Sequence, residues 1–126
     1  MIDIDASVHT ADIATFADDT KIWRVINGED ASASLQHDLN HLYHWASANN
    51  MQFNDTKFEH LIFAPSPDTV APGTYTTPAN LLIPTATTVR DLGVLFSSDG
   101  KFTPHILQTV KGAQQLSQWV LRTFKT

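Results

Sequence analysis

Phe16-Ala17-Asp18-Asp19 places two adjacent acids between two short segments that favour β-strands. The segments 13–16 and 20–23 are rich in β-branched and aromatic residues, which fit a pleated strand. This pattern predicts a tight β-hairpin over about 13–26, with the acids at its tip. Aspartates at such a tip often serve only as turn formers, because the side chain bonds to nearby backbone. The alternative interpretation is that the turn presents both carboxylates to divalent cations.

Apolar residues make up 42% of the 126-residue chain, and there is no cysteine. This composition is typical of a globular domain and argues against wholesale disorder. The absence of cysteine excludes a disulfide scaffold and a thiolate metal site. The sequence holds no apolar run long enough to span a bilayer and no basic, apolar leader. We therefore expect an intracellular protein, in the cytoplasm or the nucleus, without a membrane partner.

Charge is distributed unevenly along the chain. The net charge of −5 argues against a free-standing nucleic-acid-binding protein, because phosphate contacts need Lys and Arg. The first sixty residues hold ten acids and three bases, whereas the segment 100–126 holds four bases and no acid. These four bases are candidate contacts to a nucleic-acid backbone, and the alternative is that they coat a solvated helix face. They are Lys101, Lys111, Arg122 and Lys125.

An apolar stripe predicts the first helix, over about 31–48. Asp30 and Ser32 are the candidate N-caps. Asn49-Asn50 is expected to end the helix, since Asn tolerates the left-handed conformation. The stripe consists of Leu35, Leu39, Leu42 and Ala46. The opposite side of the helix carries His37, His41 and His44. We expect these histidines to face water and not to form a metal site.

The middle of the chain gives weaker local signals. The segment 51–63 is predicted to form a turn and then a strand. The segment 64–88 holds five of the six prolines, which remove amide donors and so exclude a long helix. A short strand is expected at 80–83.

The last third of the chain predicts a hairpin and a helix. The segment 89–97 has the pattern of a strand, and Ser98-Asp99-Gly100 is a turn that would fold it onto 101–103. Pro104 suits the first turn of a helix. The apolar side of that helix is formed by Ile106, Val110, Ala113, Val120 and either Leu116 or Ser117.

Four stretches resemble, in order and spacing, sequence boxes of non-LTR retrotransposon reverse transcriptases, which are RNA-directed DNA polymerases. Phe16–Asp19 resembles the metal-binding box, and Phe53–Lys57 resembles an Asn-x-x-Lys element. Val89–Leu95 resembles the primer-grip box, and Lys101–Ile106 resembles the entry to the thumb. The resemblance implies an α+β fold: a partial polymerase palm with antiparallel β-hairpins packed on a helix, followed by a primer-grip hairpin and a thumb helix.

The resemblance also divides the chain into four segments. Residues 1–63 would be the palm fragment, with the hairpin, the helix and the Asn-x-x-Lys strand. Residues 64–88 would be a Pro/Thr-rich connection, 89–103 the primer-grip hairpin, and 104–126 the start of the thumb helix.

In the resembled family, Mg²⁺ or Mn²⁺ ions assist the transfer of a nucleotide to a DNA primer on an RNA template. Asp18 matches the main metal ligand, and Asp19 matches the acid that assists it. Lys57 matches a lysine that protonates the departing pyrophosphate, in a loop shaped by Asn54; the alternative is a solvent-facing strand lysine. Leu92-Gly93-Val94 matches the primer grip, where glycine lets the backbone approach the primer closely.

The chemistry of that family also needs a third acid, on a strand well before the acidic pair. Asp3, Asp5 and Asp12 do not match its position. The resemblance therefore implies a fragment without the fingers and the nucleotide-binding helix, inactive alone and with weak or absent metal binding. The alternative is a truncated or repurposed relic, a non-catalytic module that binds protein or nucleic acid. Such a relic would self-associate through the apolar face left by the missing fingers.

Overall fold

In the computed structural model, which describes residues 9–64, 66 and 73–125, the chain has α+β structure. Within this part lie two helices and three two-stranded sheets, of which two are antiparallel hairpins. The predicted fold class is confirmed at this level. Outside the described residues lie Asp3 and Asp5 of the lead-in, residues 65 and 67–72 of the Pro/Thr-rich connection, and Thr126.

The chain divides into two units. The first comprises Met1–Phe58 and Gly73–Ile83, and the second comprises Glu59–Pro72 and Pro84–Thr126. Each unit has its own hairpin and its own long helix.

The first unit begins with the predicted hairpin. Strands β1 (Asp12–Phe16) and β2 (Asp19–Trp23) pair antiparallel, so the hairpin is a few residues shorter than predicted. Ile13 and Ile22 lie directly opposite each other and share a face of the sheet. Ile22 packs against the buried core, which fixes this face as the inner one.

Helix α1 (Glu29–Ala48) supplies much of that core. The predicted stripe faces inward, because periodic apolar residues gain free energy when they leave water together. Leu35 is partly buried against the core. The buried members of the stripe are Leu39, Leu42 and Ala46.

The two ends of α1 compare differently with the prediction. Gly28 is the N-cap, and no side chain caps the helix there, so the predicted caps Asp30 and Ser32 are wrong. Asp30 lies inside the first turn, and the Ser32 hydroxyl is 3.0 Å from the Tyr75 hydroxyl instead. At the other end Asn50 has a left-handed φ of 55°, as predicted.

The segment 73–83 completes the first unit by docking on α1. Gln36 holds Thr76 through two hydrogen bonds of 2.9 Å, since its Nε2 donates to the Thr76 carbonyl and its Oε1 accepts the Thr76 N–H. Only an isolated bridge between Thr76 and Leu82 forms here, so the strand predicted at 80–83 is wrong. The buried core cluster of the unit consists of Leu39, Tyr75 and Ile83.

The second unit contains a short parallel pair that the sequence did not predict in this form. Strand β3 (His60–Leu61) pairs with β4 (Thr85–Ala86) in parallel. The strand predicted within 51–63 is therefore only two residues long. Its partner lies in the proline-rich stretch, where local periodicity gives no strand pattern.

The second hairpin turns at a different place from the predicted one. Strands β5 (Thr88–Asp91) and β6 (Val94–Ser97) pair antiparallel around Leu92 and Gly93. Both turn residues have positive φ, 49° and 84°, and this conformation matches the twist of two paired strands. A turn does form at Ser98-Asp99-Gly100, as predicted, and the Gly100 N–H donates to the Ser97 carbonyl at 2.9 Å. The hairpin predicted there is wrong, because 101–103 forms no strand and the turn leads from β6 towards the next helix.

Helix α2 (Thr103–Thr123) has a proline in its first turn, as predicted. No residue of α2 is buried by the part of the chain that the structure describes. Its apolar side chains are largely exposed, including Leu116 and Trp119. Among the described residues, no helix is long and apolar enough to cross a membrane.

Candidate functional site

Asp18 and Asp19 lie at the tip of the β1–β2 hairpin, as the sequence predicts. Ala17 and Asp18 form the turn, and Asp19 opens β2 directly opposite Phe16. All four side chains of this stretch are exposed, and Phe16 keeps 65% of its surface accessible. Both carboxylates are therefore accessible to ions from solvent.

The turn holds Ala17 in the left-handed region, with a φ of 53°. Glycine is the usual residue at such a position, because a Cβ is crowded there. A non-glycine residue in this region costs on the order of 1–3 kcal/mol, and such strain is concentrated at functional sites. The strained turn fixes the backbone of the two acids that follow Ala17.

Asp19 lies on the outer face of the hairpin. Side chains alternate between faces along a strand, and directly opposite residues share a face. Asp19 therefore shares a face with Phe16 and Lys21, whereas Ile22 lies on the face that packs against the core. The acidic side chain is directed away from the hydrophobic core.

The donor set at the tip consists of two carboxylates. Carboxylate oxygens are the ligands that Mg²⁺ and Mn²⁺ prefer, so the residue type fits the implied ions. In the ranges 9–64, 66 and 73–125, however, no group of three or more His, Cys, Asp or Glu side chains is placed to hold a metal ion. These residues do not complete the two-metal centre that the resemblance implies.

A buried carboxylate ties the hairpin to α1. Asp38 is 0% exposed and lies on the apolar stripe of the helix. It accepts hydrogen bonds from the backbone N–H groups of His9 (3.0 Å), Thr10 (2.9 Å) and Ala11 (2.8 Å), and from the Thr10 hydroxyl (2.6 Å). Ala11 directly precedes β1, so these four bonds fix the point from which the hairpin extends.

The same hydrogen bonds determine the ionisation of Asp38. Burial by itself raises the pKa of this carboxyl, but the bonds from Thr10, His9 and Ala11 outweigh burial and hold the pKa below its usual range. The group is therefore ionised at neutral pH, which makes each bond charge-assisted and stronger.

Lys57 lies at the end of a single 3-10 turn, Asp55–Lys57, so the Asn-x-x-Lys element is a turn and not the strand that the resemblance implies. Asn54 Oδ1 accepts the backbone N–H of Thr56 at 3.1 Å and its hydroxyl at 2.6 Å. This local bonding competes with the pairing that a strand would need. Asn54 thus shapes the turn that carries Lys57, and the lysine side chain is exposed.

Tyr43 connects this 3-10 turn to α1. Its hydroxyl donates a 2.7 Å hydrogen bond to Asp55 Oδ1, and its ring stacks on Phe58 at 5.6 Å between centroids. Burial, followed by the bond to Asp55 and the charge on that residue, raises the pKa of Tyr43. The turn with Lys57 and the hairpin with the acids are therefore both anchored on one helix.

The predicted primer-grip residues lie at the tip of the second hairpin. Leu92 and Gly93 form the turn, Val94 opens β6, and the Leu92 side chain is 56% exposed. Arg90 donates to the Gly93 carbonyl at 3.4 Å and to Gln108 Oε1 on α2 at 2.6 Å. Leu92 thus combines an exposed apolar side chain with a left-handed backbone, the same combination of exposure and strain found at Ala17.

The four basic residues of the C-terminal segment are exposed and belong to the second unit. Lys111 and Arg122 are eleven residues apart on α2, which is three helical turns, so they share one face. Lys101 precedes the helix and Lys125 follows it.

Three histidine rings lie together beside Asp38. His41 is 4.3 Å from His37 and 5.0 Å from His9 between ring centroids. His41 is partly buried there, so the prediction that it faces water is wrong. In the described part of the chain no metal-holding group includes these residues.

Asp38 is the important residue that sequence reasoning missed. It lies three residues after Leu35 and four before Leu42, directly on the apolar stripe. A charged side chain at a core position needs hydrogen-bond partners, so an aspartate on the apolar stripe was the signal that could have revealed its role. No comparable signal exists for two other pairs, Tyr43–Asp55 and Arg90–Gln108. Their side chains are polar and lie at exposed or partly exposed positions, where polar residues are expected.

A comparison of this chain with protein-family models, with curated proteins and with solved structures finds no match.

Proposed function

We propose that this chain is the C-terminal part of a reverse-transcriptase-like palm with the beginning of a thumb, and that it supplies part of a nucleotidyl-transfer site. The observation that carries the proposal is the strained turn at Ala17, which presents Asp18 and Asp19 to solvent from a hairpin anchored on α1. The ordered resemblance of four sequence stretches supports it. The parent activity would be RNA-templated DNA synthesis, with an RNA template and a DNA primer as partners.

Each candidate residue has a role on this proposal. Asp18 and Asp19 offer carboxylate oxygens to Mg²⁺ or Mn²⁺, and Lys57 offers an exposed ammonium group as a proton donor. Leu92-Gly93-Val94 would contact the primer. Because the described residues do not complete a metal centre, we propose that the chain alone does not extend a primer.

Paramagnetic Mn²⁺ tests the acidic tip without any need for catalysis. We expect a Mn²⁺ titration of the ¹⁵N-labelled chain to broaden the amide signals of residues 16–20 first. Replacing both acids, Asp18→Asn with Asp19→Asn, should abolish this broadening. The matched control is Asp30→Asn, which removes an exposed acid at the start of α1 and should leave it unchanged. Equal broadening around Asp30 and around the tip in the unaltered chain would overturn the proposed site.

A primer-extension assay tests the statement about activity. The purified chain, with an RNA template, a DNA primer, nucleotides and Mg²⁺, should give no extension. Extension that disappears in Asp18→Ala would show that the chain holds a complete site and would contradict this part of the proposal.

Nucleic-acid binding is tested by its dependence on salt. The log of the association constant falls linearly with the log of salt concentration, by roughly 0.7–0.9 per phosphate contact. Replacing Lys111 or Arg122 by Gln should therefore reduce the slope for a primer–template by about 1 each. The control is Lys21→Gln, on the first hairpin. Equal slopes in all variants would remove α2 from the nucleic-acid interface.

A second candidate function is that of a non-catalytic interaction module. It is favoured by one observation, the exposed apolar side of α2. Contiguous exposed apolar surface on a soluble domain marks an interaction site.

A further inference from the structure

Helix α2 carries a regular seam of side chains that the described residues leave exposed. Six positions recur at spacings of four, three, four, three and four residues, which is the repeat of facing positions in a coiled coil. We call this set the α2 seam; it consists of Ile106, Val110, Ala113, Ser117 and Val120 on the helix and Phe124 at its C-cap. Its large apolar members are between 40% and 73% exposed.

The α2 seam is symmetric about position 115. Ile106 and Phe124 lie nine residues on either side of this position, Val110 and Val120 lie five residues away, and Ala113 and Ser117 lie two. Large side chains therefore occupy both ends of the seam and small ones occupy its middle. The small residues leave a shallow groove in the helix surface, lined in part by Ala113 and Ser117.

This symmetry fits a second, antiparallel copy of the same helix. In an antiparallel pair with a two-fold axis at position 115, residue i faces the residue equally far beyond the axis. Val110 then faces the partner's Val120, and Ala113 faces the partner's Ser117. Bulky residues meet bulky ones at the ends, while the small pair lets the backbones approach in the middle. A parallel pair in register would also match large residues with large and small with small, but it would align the two helix dipoles unfavourably, so the dipoles favour the antiparallel arrangement.

We propose that two copies of this chain associate through the α2 seam as an antiparallel helix pair. The inference does not depend on the proposed polymerase function. It identifies a second copy of the chain as the occupant of the exposed face.

The charges of α2 permit this pairing although the helix has no acid. Lys111 and Arg122 lie on the side of the helix away from the seam, so in the dimer they remain exposed. Lys111 of each copy lies about 12 Å along the axis from Lys111 of the partner subunit, given 1.5 Å per residue. This separation exceeds the Debye length of about 8 Å at physiological salt. Lys111 lies closer along the axis to the partner's Arg122, at about 4.5 Å, but the two side chains project from opposite outer sides of the pair. Roughly two helix diameters of about 10 Å each therefore lie between them, and their repulsion is largely screened.

The area is sufficient for a weak dimer. Burying the large apolar side chains of the seam and its edges, Leu116 and Leu121, removes on the order of 500 Å² of surface per copy. The total of roughly 1,000 Å² lies at the lower end of specific interfaces, so we expect a reversible dimer.

Sedimentation velocity tests the proposal with the whole chain at concentrations from about 1 to 500 µM, which bracket a weak dissociation constant. We expect the mass to rise from monomer to dimer across this range. Val110→Glu should weaken the dimer at least tenfold, because two charges enter the seam. Gln115→Glu adds the same charge on the opposite side of α2 and should behave like the unaltered chain. Circular dichroism verifies that each variant keeps its helix content, since both positions are exposed in the monomer.

Engineered cysteines test the antiparallel arrangement. The chain has no cysteine, so single variants give unambiguous cross-links. Under mild oxidation, a mixture of Val110→Cys and Val120→Cys should form a disulfide-linked heterodimer. Val110→Cys alone should not cross-link, because its copies lie about 15 Å apart along the axis, well beyond disulfide reach.

Three results would overturn the proposal. The first is a chain that stays monomeric at every concentration, whether or not its helix α2 binds anionic lipid vesicles. The second is a dimer that Val110→Glu leaves intact, which would place the interface elsewhere. The third is efficient cross-linking of Val110→Cys alone, which would require parallel helices.

Discussion

The Asp38 carboxylate accepts both the backbone N–H and the hydroxyl of Thr10, at 2.9 Å and 2.6 Å, on the same oxygen. The two residues are 28 positions apart in the chain, and the carboxylate that joins them is completely buried. Through this contact the residues preceding β1 are fixed to α1. The orientation of the acidic hairpin tip therefore depends on a residue that never touches it.

We expect Asp38→Ala to lower the free energy of unfolding by about 3 kcal/mol, because four partly buried hydrogen bonds lose their charged acceptor together. Asp38→Asn keeps the shape and one acceptor oxygen, so its cost should be smaller. Urea denaturation, monitored by circular dichroism, measures the free energy of unfolding of both variants. Asp30→Ala, at the exposed start of α1, is the control and should cost less than about 1 kcal/mol. A loss for Asp38→Ala no larger than that of the control would contradict the anchoring role.

The pKa of Asp38 predicts how stability depends on acid. Its pKa is lower in the folded state than the ordinary value of 3.8, so the unfolded chain binds the proton more readily. The stability that this carboxylate contributes is therefore complete above about pH 4 and is lost as the pH falls through the lower, folded pKa. We expect the difference in unfolding free energy between the unaltered chain and Asp38→Asn to shrink below about pH 4. A difference that stays constant down to pH 2 would show that the carboxylate is not held in this way.

Ala17→Gly should stabilise the chain by about 1 kcal/mol, because glycine adopts the left-handed turn conformation without strain. The matched control is Ala14→Gly, in the middle of β1. Glycine gives the unfolded chain more conformational entropy, so this change should lower the free energy of unfolding by about 0.5–1 kcal/mol. Thermal unfolding of the two variants should therefore shift in opposite directions. Equal destabilisation by both changes would show that the turn carries no strain at Ala17.

Tyr43→Phe should cost about 1.5–3 kcal/mol at neutral pH, since it removes a hydrogen bond to a charged group and leaves Asp55 without that donor. The pKa of Tyr43 is raised above its ordinary value of 10.0, mainly by burial. Its contribution to stability is thus complete below about pH 10 and declines as the pH rises beyond it. Chemical denaturation between pH 7 and 11 should show a steeper loss for the unaltered chain than for Tyr43→Phe. Parallel losses would mean that Tyr43 ionises normally in the folded state.

The sequence by itself determined the elements whose signals are local. The period of α1, the left-handed Asn50 at its end, the proline that opens α2 and the two acids at the first hairpin tip were all predicted correctly. Each of these depends on residues within one or two turns of chain. The functional roles of Asp18, Asp19, Lys57 and the Leu92-Gly93-Val94 stretch remain predictions.

Only the tertiary structure decided the features that need a distant partner. The burial of Asp38 depends on Thr10, the docking of 73–83 depends on Gln36, and the pairing of β3 depends on a strand in the proline-rich stretch. The turn at Leu92 also escaped prediction, because leucine is unfavourable in its left-handed conformation. A local pattern specifies how a segment folds, but hydrogen bonds between segments 25 to 40 residues apart specify which polar groups leave water together.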